Sequence, residues 1–233
     1  MSGRRVRTWS GTVGLWLSTA VLVLTSVGAV LPSSRASAAT MATASYTNFQ
    51  ALDKVTGYNV VQSSVSDGQY VYVGYMKDTR YTQEDDTIIV KYDLSGKQLG
   101  HYSFKGADSL GHMDSMTYNS KTKQIVAIWG AKNRASFVDV ATMKIVARKS
   151  LKATNFLCYD AQDARYANAD PSNIYVYDGN LGNPKKVASI SAKNESADYV
   201  QGGTCDPDYL YLYISRGDGK TKARVLKYDW AGN

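Results

Sequence analysis

Histidine and cysteine are scarce, with two of each in 233 residues: His101, His112, Cys158 and Cys205. A pair of histidines does not make a His-rich metal site, and it leaves a conventional Ser-His-Asp triad hard to assemble. Two cysteines exclude a fold held together by a disulfide framework. No segment carries a sustained apolar stripe of helical period. Acidic residues are missing altogether from residues 1–38.

That acid-free stretch reads as an export signal. Arg4, Arg5 and Arg7 precede an uncharged, mostly apolar run over 11–31. Pro32 ends the run, and Ala36-Ser37-Ala38 provides the small residues that a signal peptidase needs, with cleavage expected after Ala38. An uncleaved membrane anchor is the alternative, since the run is nearly long enough to span. The residues around Arg4-Arg5 fit a twin-arginine signal poorly, so the general secretory route is expected. Cleavage would remove four arginines. The remainder has 23 basic and 20 acidic residues, a net charge of +3 rather than +7. This balance calls for no nucleic-acid partner and no anionic membrane surface.

What is present after residue 38 is tyrosine, all 18 of them, in a repeating β pattern. QSSVSDGQYVYV (62–73) aligns without a gap over QGGTCDPDYLYL (201–212). Each half reads as a strand, a tight turn and a second strand that alternates with a period of two. IIVKYDLSG (88–96) matches RVLKYDWAG (224–232) as a third strand. Weaker copies lie between, at 115–142 and 156–180. A first turn falls at Asp67, Asn119, Asp160 and Asp206, and a second follows Asp93, Asp139, Asp178 and Asp229. Both markers recur at the spacing of about 40–50 residues that a propeller blade requires. A fourth strand follows in three copies, at 97–104, 143–150 and 185–191.

The expected fold is therefore all-β, a β-propeller of about four four-stranded blades over 60–233, preceded by an N-terminal segment at 39–59. A β-sandwich is the alternative, but it needs no four-strand period. The fourth copy lacks an outermost strand. Either SYTNFQALDK (45–54) supplies it and closes the ring, or the chain is a shortened larger propeller.

Inner strands line a propeller's channel, so their polar starts are candidate binding residues. Counting back five from the first turn reaches Gln62, Asn155 and Gln201. The second copy has two extra residues and offers His112, followed by Asp114. These side chains would converge near one mouth of the channel and both donate and accept hydrogen bonds. Either they form a small polar binding site, or they only tie wet neighbouring blades together. His112 oriented by Asp114 is also the best candidate for a general base, with both as candidate catalytic residues. Residues two apart on a strand share a face but need not touch.

An exported protein can form a Cys158–Cys205 disulfide. Against it, the two stand at different offsets from their turns, which in the simplest register puts them on opposite sides. Glu84-Asp85-Asp86 and Asp206 with Asp208 lack the spacing of a calcium loop, so no metal and no cofactor is expected. Arg216-Gly217-Asp218 spells an adhesion tripeptide but suits a hairpin turn. Asn194-Glu195-Ser196 has the form of a glycosylation acceptor.

LGHMDSMTYNSKTKQIVA (110–127) resembles a blade opening of secreted Gram-positive propellers, and QGGTCD (201–206) is similar to the opening of their other blades. The signal segment resembles those of actinomycetes. The resemblance covers nearly all of 60–232 and implies an architecture. One such actinomycete protein, the dispase autolysis-inducing protein, binds a metalloprotease and promotes its self-digestion, and the resemblance thereby implies an extracellular protein-binding role. Streptogramin lyase, a propeller enzyme, has a broadly similar repeat, but none of its catalytic motifs is matched. The expectation is a secreted, monomeric, non-enzymatic binding protein, its partner a protein such as an extracellular protease or a cell-envelope polymer. A hydrolase or lyase using His112 is one alternative, and a truncated, non-functional propeller is another.

Overall fold

The structure is a computed structural model that describes residues 55, 57–58, 60–77, 86–190, 199–215 and 223–233. The expected signal at 1–38, the closing segment at 45–54, the Arg216-Gly217-Asp218 tripeptide and the Asn194-Glu195-Ser196 acceptor lie outside the described residues, as do Glu84 and Asp85. Among the described residues no helix is long and apolar enough to cross a membrane.

The chain is all-β, a propeller of four antiparallel blades. Blade 1 is β1 (Val60–Ser66), β2 (Tyr70–Met76), β3 (Thr87–Asp93) and β4 (Gln98–Phe104). Blade 2 is β5 (Ser115–Asn119), β6 (Gln124–Trp129), β7 (Arg134–Asp139) and β8 (Lys144–Ser150). Blade 3 is β9 (Phe156–Asp160), β10 (Arg165–Ala169), β11 (Asn173–Asp178) and β12 (Lys185–Ser189). Among the described residues blade 4 has three strands, β13 (Tyr199–Cys205), β14 (Tyr209–Ser215) and β15 (Arg224–Asp229). In each sheet the strands pair in chain order, as short hairpin connections dictate.

Side chains alternate across each sheet, and blades pack through both faces. In blade 1, Tyr72 and Ile89 join Met113, Met116 and Ile125 of the next repeat. On the opposite face Val73, Tyr75, Ile88, Val90 and Tyr92 form a separate buried cluster with Val55 and Tyr58. Burying such residues contributes roughly 1.5–3 kcal/mol for each large apolar side chain.

The turn aspartates close the hairpins. The Asp93 carboxylate accepts the Ser95 and Lys97 N–H groups, both at 2.9 Å. Asp139, Asp178 and Asp229 do the same for the turns that follow them. This is why Asp recurs there: its short side chain satisfies the turn's own backbone donors. Asp67 and Asp206 cap tighter turns and also accept the hydroxyls of Tyr72 (2.9 Å) and Tyr211 (2.8 Å).

The inner strands pack consecutively, β1 on β5, β5 on β9 and β9 on β13. Related blades meet front to back. Phe156 and Cys158 of β9 pack with Leu210 and Leu212 of blade 4, whereas Leu157, between them, packs with Val126 and Ile128 of blade 2. Cys158 and Cys205 are accordingly joined by a disulfide, with Cα atoms 5.9 Å apart. This corrects the register argument against the bond. Opposite faces of equivalent strands are the ones that meet when each sheet turns its front toward the next sheet's back.

Candidate functional site

The inner-strand starts of all four blades border one cavity of about 420 Å³, lined by Gln62, His112, Asp114, Thr154, Asn155, Val200 and Gln201. The four candidate binding residues of the sequence reading are thus brought together. Asp114, rather than His112, holds the position five before the first turn in blade 2. The four equivalent positions are therefore Gln62, Asp114, Asn155 and Gln201, all polar.

Two of them are placed by matching irregularities. The pairing of β1 with β2 shifts between Val61 and Ser63, and that of β13 with β14 shifts between Val200 and Gly202. Gln62 and Gln201 are the extra residues at these bulges. A bulge leaves one residue out of the ladder and re-aims its side chain. Asp114 and Asn155 instead sit one residue before β5 and β9. Their N–H groups extend the ladders by donating to the Ile128 carbonyl (2.9 Å) and the Ala169 carbonyl (3.0 Å). The Asn155 amide also donates across the blade boundary to the Val200 carbonyl at 2.9 Å.

The segment before Asp114 holds His112 in place. Leu110 and Met113 are fully buried. The Leu110 N–H donates to Thr87 Oγ1 (3.3 Å), and Ser63 Oγ donates to the Met113 carbonyl (2.9 Å). Gly111 has φ +69° and lies against the Trp129 ring, where a side chain would overlap the indole. Between these anchors, His112 Nδ1 lies 2.9 Å from Asp114 Oδ1. Asp114 Oδ2 accepts the Gly130 N–H at 2.6 Å. The carboxylate therefore orients the imidazole and also tethers the blade 2 hairpin end. Both side chains are about one-fifth exposed, 20% and 17%.

Thr154 and Val200 were not singled out in the sequence. Each immediately precedes a residue that was, and nothing in its type marks it as a wall residue. Among the described side chains no tyrosine lines this cavity. The Asp206 carboxylate accepts the Asp208 and Tyr209 N–H groups and the Tyr211 hydroxyl, which is turn chemistry. Among the described residues no three His, Cys, Asp or Glu side chains gather as a metal site would need.

No family model matches the chain, and no curated protein matches it. Solved structures do. The chain is similar to hydrazine synthase of Kuenenia stuttgartiensis, with a TM-score of 0.53 and 10% identity over 81% of this chain and 50% of that one. It is also similar to a protein of unknown function from Bacteroides caccae, with a TM-score of 0.52 and 14% identity over 79% of this chain and 68% of that one. The likeness shows the fold alone. The chain spans half the length of the hydrazine synthase chain it matches.

Proposed function

We propose that this chain is a secreted, non-enzymatic binding protein that engages an extracellular protein partner through the cavity at the inner-strand starts. The observation that carries this reading is that each of the four blades contributes a polar side chain to one cavity. A cavity of this volume is concave enough to take a protruding side chain, and its polar groups converge. The disulfide between blades 3 and 4 suits an oxidising compartment. The test is capture from culture supernatant and cell-wall material by the chain cleaved after Ala38, compared with its Gln62→Ala/Gln201→Ala variant. Material held by the former and lost by the latter supports the reading. Equal capture by both sinks it, and selective capture of wall polymer moves the partner class from protein to polymer.

The 2.9 Å contact between His112 and Asp114 favours one other reading, a hydrolase or lyase in which Asp114 orients His112 as general base. His112→Ala separates the two. It abolishes turnover of any substrate found if the enzymatic reading is right; under the binding reading there is no turnover to lose, and the variant alters only the affinity for the partner.

A further inference from the structure

The described cavity wall carries one carboxylate and three amides that can each present an oxygen, and that bears on what enters it. Among the described residues no lysine or arginine lines it, and Asp114 is the one acidic residue. The Asp114 oxygens each meet one partner, the His112 ring and the Gly130 N–H. A carboxylate has about four lone-pair sites, so it can accept further donors. Asn155 uses one Nδ2–H on the Val200 carbonyl, which leaves Oδ1 and its second N–H to offer. Gln62 and Gln201 make no side-chain hydrogen bond among the described residues. Each amide can therefore turn its carbonyl oxygen to a ligand.

We infer that the cavity receives the guanidinium of an arginine side chain presented by the protein partner; this rests on the reading of the cavity as a binding site. A guanidinium carries five N–H donors in a fixed planar fork and accepts nothing. That is the complement of a carboxylate, an amide oxygen and two rotatable amides set around one space. Its charge is met by Asp114, with no lysine or arginine among the described wall residues to repel it. An ammonium has three donors on one atom and reaches fewer of these acceptors at once.

The test is titration of the chain with N-acetyl-arginine amide, followed by NMR shifts of the Gln62 and Gln201 side-chain amides. The neutral isostere N-acetyl-citrulline amide and N-acetyl-lysine amide serve as comparisons. The arginine compound should bind at least about tenfold more tightly than citrulline, as expected for a hydrogen bond made to a charged group. Asp114→Asn should remove that preference while the melting temperature is checked. Should Asp114→Asn fail to fold, the citrulline and lysine comparisons decide alone. Absence of arginine binding, or equal binding by citrulline or lysine, overturns the inference. If arginine fails while Gln62→Ala/Gln201→Ala still abolishes partner capture, the cavity binds another group. If capture is unaffected as well, the binding reading falls with it.

Discussion

Tyr72 and Tyr211 occupy equivalent positions in blades 1 and 4 and each donates its hydroxyl to the aspartate five residues before it. Their surroundings differ. Tyr72 is fully buried beneath blade 2, whereas Tyr211 lies on the blade 4 face turned away from blade 3. The same contrast separates Ile89, at 0% exposure, from its counterpart Val225, at 40%. Lys91 stacks over Tyr70 and Lys227 over Tyr209 in the same way. One side-chain constellation thus serves as a blade-packing face in one copy and as an exposed face in another.

Truncation should therefore cost unequal amounts at equivalent sites. Tyr72→Ala removes a packed ring from a core and should destabilise by about 3–5 kcal/mol. Tyr211→Ala removes a partly exposed ring and one hydrogen bond, at about 1 kcal/mol. Urea denaturation of the two variants checks this. Equal losses would mean that the blade 4 face is covered in solution.

The disulfide ties blade 3 to blade 4 across 47 residues of chain. Cys158→Ser/Cys205→Ser should lower stability by about 3–4 kcal/mol in the chain-entropy account. Melting the unaltered chain with and without reductant gives an independent reading. A melting temperature indifferent to reductant would show that the bond does not form.

Acid should weaken the hairpins. The Ser95 hydroxyl, with the Lys97 N–H, holds the Asp93 carboxyl below its ordinary value of 3.8. The Thr142 hydroxyl acts so on Asp139, the Gly182 N–H on Asp178 and the Asn233 N–H on Asp229. Because the folded values are depressed, the stabilisation is fully present above the unfolded carboxylate range. It is lost as pH falls through the lower, folded values. Denaturation midpoints should hold from pH 7 to about 5 and fall below about 4. Asp93→Asn should be less stable at neutral pH and show a shallower acid slope. A slope identical to that of the unaltered chain would remove Asp93 from the account.

Gly111 should tolerate no side chain. Gly111→Ala places a methyl inside the Trp129 ring at a left-handed backbone angle. A loss of more than about 2 kcal/mol is expected, together with altered NMR signals from the neighbouring His112 ring. Gly68→Ala is the comparison. It also has positive φ but open space around it, and should cost only about 1 kcal/mol.

The repeat of Asp-capped hairpins and period-two strands was enough to define the blades. Strand alternation and turn chemistry are local, and a sequence displays local rules directly. Gln62, Asn155 and Gln201 could be found for the same reason, by counting back from the turns. Only the tertiary structure decided that Cys158 meets Cys205, that Asp114 both touches His112 and anchors Gly130, and that Thr154 and Val200 complete the wall. The same is true of the difference between Tyr72 and its twin Tyr211. These depend on which face of one sheet meets which face of the next. That choice is made by packing between segments some 40 to 50 residues apart, and no short stretch of sequence carries it.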